Sequence, residues 1–141
     1  MTSANAPRIV VLDTNVVVSA LLKADSLPAR LLAAVLRGDL RIAFDARLLT
    51  EYRDVLSRPK FGFEPTRVDL VLEAMERDGI AVAASAWTLS LPDADDVKFL
   101  EVASALEPSA VLITGNIRHF TEESCGTVRV LTPHDFLERL R

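Results

Sequence analysis

A chain of 141 residues, half of them hydrophobic but only 6% aromatic, can bury one aliphatic core and is neither fibrous nor disordered. Its net charge of −4 excludes a clamp that holds nucleic acid by bulk positive charge. It leaves room for an enzyme that meets phosphates through bound cations and a local basic rim.

Met1 to Pro7 is small and polar, with no basic stretch leading into an apolar one. It is expected to be a flexible tail (1–7) ahead of a single domain over 8–141. Residues 8–12, Arg-Ile-Val-Val-Leu, read as a strand buried on both faces. Asp13-Thr14-Asn15 suits the cap of a helix over 16–23. Pro28 sits where a second helix starts, apolar residues recur at helical spacing over 29–37, and Gly38 is its stop. Residues 42–44 form a strand candidate, after which Asp45 can cap a helix through Leu48, Leu49, Tyr52, Val55 and Leu56. Another helix is expected over 65–77, then a weak strand at 80–83. Pro92-Asp93-Ala94-Asp95-Asp96 is an acidic start to a helix carrying Phe99, Leu100, Val102, Ala103 and Leu106. Strands at 110–113 and 128–131 and a helix at 133–140 close the chain. Strands alternating with helices predict an α/β domain with a mainly parallel sheet.

No apolar run approaches the roughly 20 residues of a membrane span. The single cysteine, Cys125, excludes an internal disulfide and reads as a passive thiol in a reducing compartment, so a cytoplasmic location is expected.

Ligands of an open parallel sheet bind beyond the carboxyl ends of its strands. Asp13 and Asn116 follow two strands, Asp96 lies in a first helical turn, and Glu51 lies in the helix after the 42–44 strand. All four can line one end of the sheet. Two like charges about 5 Å apart repel by about 3 kcal/mol at an effective dielectric of 20. Carboxylates gathered in this way call for cations, and hard Mg²⁺ or Mn²⁺ matches oxygen ligands. The chemistry that follows is metal-assisted phosphodiester hydrolysis. On spacing alone, an Asp at a strand–helix junction is more often a plain cap.

Four segments in order carry a resemblance. They are Val11-Leu12-Asp13-Thr14-Asn15-Val16, Leu49-Thr50-Glu51-Tyr52, Pro92 to Asp96 running into Phe99-Leu100-Glu101, and Leu112-Ile113-Thr114-Gly115-Asn116 with His119-Phe120. Together they resemble the acidic motifs of PIN-domain nucleases. The tail, Val130-Leu131-Thr132-Pro133 with Phe136-Leu137, is similar to the ending of one bacterial branch. The resemblance implies a three-layer α/β/α sandwich with a mainly parallel sheet of four or five strands. It implies Mg²⁺- or Mn²⁺-dependent cleavage of single-stranded RNA. It further implies a toxin of a toxin–antitoxin pair, similar to the VapC ribonucleases, often a homodimer restrained by an antitoxin protein.

Carried over residue by residue, Asp13, Glu51 and Asp96 would be metal ligands, one of them activating the attacking water. Thr14 and Asn15 would orient Asp13, and Thr114 would hydrogen-bond around it. The chain departs from the family at its fourth acidic position, where Asn116 offers a carbonyl oxygen without charge. Asp93 or Asp95 is a substitute for that charge, and Asp93 reads either as a further ligand or as a solvated cap. Arg118 and His119 are candidates for RNA phosphate contacts, with an ordinary loop histidine as the other reading. Arg53, Arg58 and Lys60 read as a solvated helix face rather than a channel rim. Trp87 reads as an anchor under a loop rather than a base-stacking platform.

Two rivals stand beside the nuclease. A haloacid-dehalogenase-like phosphatase would use Asp13 as nucleophile but needs a second Asp where Asn15 stands. A weakly active or inactive PIN-like module would bind RNA or protein, which Asn116 and the acidic net charge both motivate.

Overall fold

The computed structural model describes residues 8–84, 86, 91 and 93–140. The expected tail at 1–7, Trp87 and Pro92 lie outside the described residues.

Five strands form one sheet: β1 (Arg8–Leu12), β2 (Leu40–Phe44), β3 (Ile80–Ala81), β4 (Ala110–Ile113) and β5 (Arg129–Leu131). Their order is β3-β2-β1-β4-β5, and every pairing is parallel. Among the described residues seven helices surround it: α1 (Thr14–Leu22), α2 (Leu27–Arg37), α3 (Ala46–Leu56), α4 (Pro65–Asp78), α5 (Val97–Ser104), α6 (Glu122–Cys125) and α7 (Pro133–Leu140). The architecture is the expected α/β/α sandwich.

The sheet is central because its strands are apolar on both faces. Val10, Val11, Leu12, Leu112 and Ile113 are all essentially inaccessible to water, as a parallel sheet covered by helices requires. α1 is buried almost all round through Val16, Val17, Val18, Ala20 and Leu21, packing on α2 and α3. α5 lies against β1, β2 and β4, which brings its acidic N-terminal end beside the ends of those strands.

Several boundaries differ from expectation for local reasons. α1 begins at Thr14, not at residue 16, because the Asp13 side chain caps it by accepting from the Asn15 amide. β2 extends back to Leu40, since Leu40 and Arg41 pair with Arg8 and Ile9. β3 has only two residues, Ile80 and Ala81, which pair with Ala43 and Phe44 at the end of β2. Val128 is not in β5: its amide bonds the Cys125 carbonyl at 3.1 Å instead of the ladder. The turn into β3 needs Gly79, where a Cβ would stand 2.4 Å from the Met75 carbonyl and 2.5 Å from that of Ile42.

Three short turns were not foreseen: 3-10 turns at Pro59–Phe61 and Ile117–His119, and the single-turn α6. A third 3-10 turn, Ala94–Asp96, opens the expected acidic helix. Among the described residues, no helix is long and apolar enough to cross a membrane.

Candidate active site

The chain steps from β1 outward to β2 and β3, then crosses back to place β4 on the other side of β1. Strand order therefore reverses between β1 and β4, and a crevice opens beyond their carboxyl ends. Asp13 stands at that point. Its amide donates to the Ile113 carbonyl at 2.9 Å, tying the end of β1 to the end of β4.

Asp13 is 4% exposed. The Thr114 hydroxyl, fully buried at the end of β4, donates to Asp13 Oδ2 at 2.7 Å. The Asn15 amide lies 3.4 Å from Oδ1, a long contact, and the Asn15 side chain is exposed. Burial is the main cause that raises the Asp13 carboxyl above its ordinary range. The Thr114 and Asn15 hydrogen bonds oppose it, while the charge on Glu51 raises it further.

Glu51 projects from α3 toward Asp13. The Thr14 hydroxyl donates to Glu51 Oε2, and Lys98 Nζ pairs with Oε1 at 2.7 Å. Neither Arg47 nor Arg53, the surface partners that spacing offers Glu51, makes that pair. Arg47 bridges Asp45 and Glu101, and Arg53 pairs with Asp69. An open cleft of about 570 Å³ runs beside Glu51, lined by Ala46, Arg47, Thr50, Asp54 and Lys98.

Asp96 is almost fully buried at the end of the Ala94–Asp96 turn. Its carboxyl is also raised above the ordinary range, first by burial and next by the negative charge of Asp13. His119 Nδ1 lies 3.0 Å from Asp96 Oδ2 and opposes that rise. Asp93 is exposed and caps the same turn through the Asp95 amide at 2.9 Å. A 3-10 turn eclipses residues three apart, so Asp93 and Asp96 converge. One ligand atom from each of Asp93, Asp96 and His119 lies within 4.8 Å of the other two.

The remaining candidates lie outside this set. Asn116 is exposed, and its amide donates to Thr114 Oγ1 at 3.0 Å. Arg118 is exposed and makes no ion pair among the described residues. Arg58 is 3.5 Å from Asp54, and Lys60 lies over the Phe61 ring. His134 bonds its neighbour Asp135. Cys125 is buried, and burial raises its thiol, in keeping with a passive role.

The geometry thus brings Asp13, Glu51, Asp96, Asp93, His119 and Thr114 to one end of the sheet. Sequence reasoning missed Lys98. No local signal marks it, because its carboxylate partner, Glu51, lies 47 positions earlier in the chain. Thr14 was expected to orient Asp13 and instead holds Glu51.

Such an arrangement suits a divalent cation. Its donors are mostly carboxylate oxygens, two of them largely withdrawn from water and repelling one another, and an ion among them would offset that repulsion. Residues 9–118 match the family model of the PIN domain. No curated protein matches the chain.

Proposed function

Because the chain belongs to the PIN-domain family, we propose that it is a divalent-metal-dependent endoribonuclease hydrolysing phosphodiester bonds of single-stranded RNA. One observation carries the reading: the buried Asp13 carboxylate at the point where strand order reverses, electrostatically coupled to Glu51 and Asp96. Asp13, Glu51 and Asp96 would hold Mg²⁺ or Mn²⁺, with Asn116 and Asp93 as further oxygen donors. When bound, such an ion supplies an acidified water and neutralises charge developing on the phosphate.

The chain's own side chains do the positioning. Thr114 and the Asn15 amide fix the two oxygens of Asp13. Thr14 and Lys98 hold the two oxygens of Glu51, so both carboxylates present set directions to the crevice. One of these carboxylates accepts the proton of the attacking water. Arg118, exposed and without an ion pair among the described residues, is suited to an RNA phosphate.

The role of toxin in a toxin–antitoxin pair rests on the tail from Val130 to Leu137. A homodimer and an antitoxin partner rest on the same resemblance.

The test is cleavage of a mixed-sequence single-stranded RNA with Mn²⁺, with Mg²⁺ and with EDTA. Metal-dependent cutting that Asp13→Asn and Asp96→Asn abolish is the expected result. The second reading, a binding module, is favoured by Asn116 and by the acidic net charge. It prevails if neither the natural protein nor Asn116→Asp cuts any RNA while metal still binds.

A further inference from the structure

The three side chains that converge most closely are Asp93, Asp96 and His119, not the three acidic residues that the motifs single out. Two 3-10 turns bring them together. The turn at Ala94–Asp96 stacks the two carboxylates. The turn at Ile117–His119, closed by the His119 amide on the Asn116 carbonyl at 2.9 Å, returns the imidazole toward Asp96. His119 is half-buried, with Nδ1 at 3.0 Å from Asp96 Oδ2.

No lysine or arginine offsets these charges. Lys98, the nearest cation in sequence, spends its ammonium on Glu51 and the Asp95 carbonyl. Among the described residues neither Asp93 nor Asp96 has a Lys or Arg partner. Two carboxylates, one of them buried, therefore share a corner with an imidazole and, among the described residues, with no Lys or Arg partner.

We propose that Asp93, Asp96 and His119 form a mixed carboxylate–imidazole site for a divalent transition metal, in which His119 adds a neutral nitrogen donor to the two carboxylates. Asp96 belongs both to this site and to the Asp13–Glu51 set, so the site deepens the nuclease reading. Its occupancy nevertheless does not depend on cleavage. Mg²⁺ is bound through oxygen and keeps its waters, whereas imidazole suits the later divalent ions. The site accordingly favours Co²⁺, and less strongly Mn²⁺, over Mg²⁺ by more than an all-carboxylate set would.

The decisive measurement is the electron spin echo spectrum of Mn²⁺ bound to the full chain, where a nitrogen ligand leaves a modulation that oxygen does not. The variants are His119→Gln, Asp93→Asn and, because the chain has two histidines, His134→Gln. Nitrogen modulation is expected in the natural protein and in His134→Gln, and none in His119→Gln. Mn²⁺ affinity should fall by at least about tenfold in His119→Gln, since even outer-shell partners of metal ligands matter that much. Mg²⁺ binding should barely change. Bound Mn²⁺ without nitrogen modulation, or modulation that survives His119→Gln, overturns the site whatever happens to RNA. Modulation in a protein that never cuts RNA upholds the site and sinks the nuclease reading instead.

Discussion

Asp13 illustrates how a site residue can be set against the stability of its own fold. Its carboxylate is withdrawn from water beside a second negative charge, opposed by Thr114, one long amide contact and, last, His119. Burial, the largest cause, raises its pKa above the ordinary 3.8. The folded state therefore keeps the proton to higher pH than the unfolded chain does. The resulting stability is fully present below the ordinary carboxylate value and is lost as pH rises through the raised one. Asn caps helices as well as Asp and carries no charge. Metal-free Asp13→Asn should thus melt at or above the natural protein near neutral pH, and the two curves should converge or cross in acid. Saturating Mn²⁺ should reverse the order. A ligand at 100 times its Kd adds about 2.7 kcal/mol to the natural protein, and the variant should gain much less. Thermal melts with and without metal at several pH values check both halves. A variant that melts below the natural protein in metal-free buffer at neutral pH would show that the Asp13 charge is not destabilising.

At the scale of elements, the site depends on α3 being held against the end of β1. Tyr52, completely buried and one residue beyond Glu51, donates its hydroxyl to the Leu12 carbonyl at 2.5 Å, immediately before Asp13. Tyr52→Phe removes that tether while keeping the ring, and should cost about 1 kcal/mol by urea denaturation. RNA cleavage should fall with it although no proposed ligand is touched; unchanged cleavage would show that Glu51 is positioned by Thr14 and Lys98 alone. The strands were legible because an aliphatic run flanked by capping residues has few other fates, and the helices because caps such as Asp13, Ser26 and Asp45 act locally. What stayed hidden depends on contacts across the chain. The Lys98–Glu51 pair joins residues 47 positions apart, and the Thr114–Asp13 bond spans 101. His119 faced two readings because a single turn of 3-10 helix, with no periodicity to announce it, decides where the ring points.

For the molecule as a whole, the strand order and the charge balance act together. The reversal between β1 and β4 makes one crevice out of four segments widely separated in sequence, and what it gathers is mostly negative. With a net charge of −4, the protein has no general attraction for a polyanion. Five of its thirteen arginines, Arg37, Arg47, Arg53, Arg58 and Arg77, pair with nearby acids, and Arg118, exposed and two residues beyond Asn116, makes no ion pair among the described residues. RNA should therefore be held mainly through bound cations and a few direct phosphate contacts. For single strands the logarithm of affinity falls with that of salt concentration by about 0.7 per phosphate neutralised. A cleavage-deficient Glu51→Gln variant, titrated with labelled single-stranded RNA in Mn²⁺, should show a slope no steeper than about −2, whereas a basic clamp making six or more contacts would exceed about −4. Arg118→Ala should flatten the slope further by about 0.7. Withdrawing Mn²⁺ should weaken binding more than doubling the salt does. A steep slope indifferent to metal would mean that RNA follows a basic surface elsewhere on the protein, and the crevice would lose its claim to the substrate.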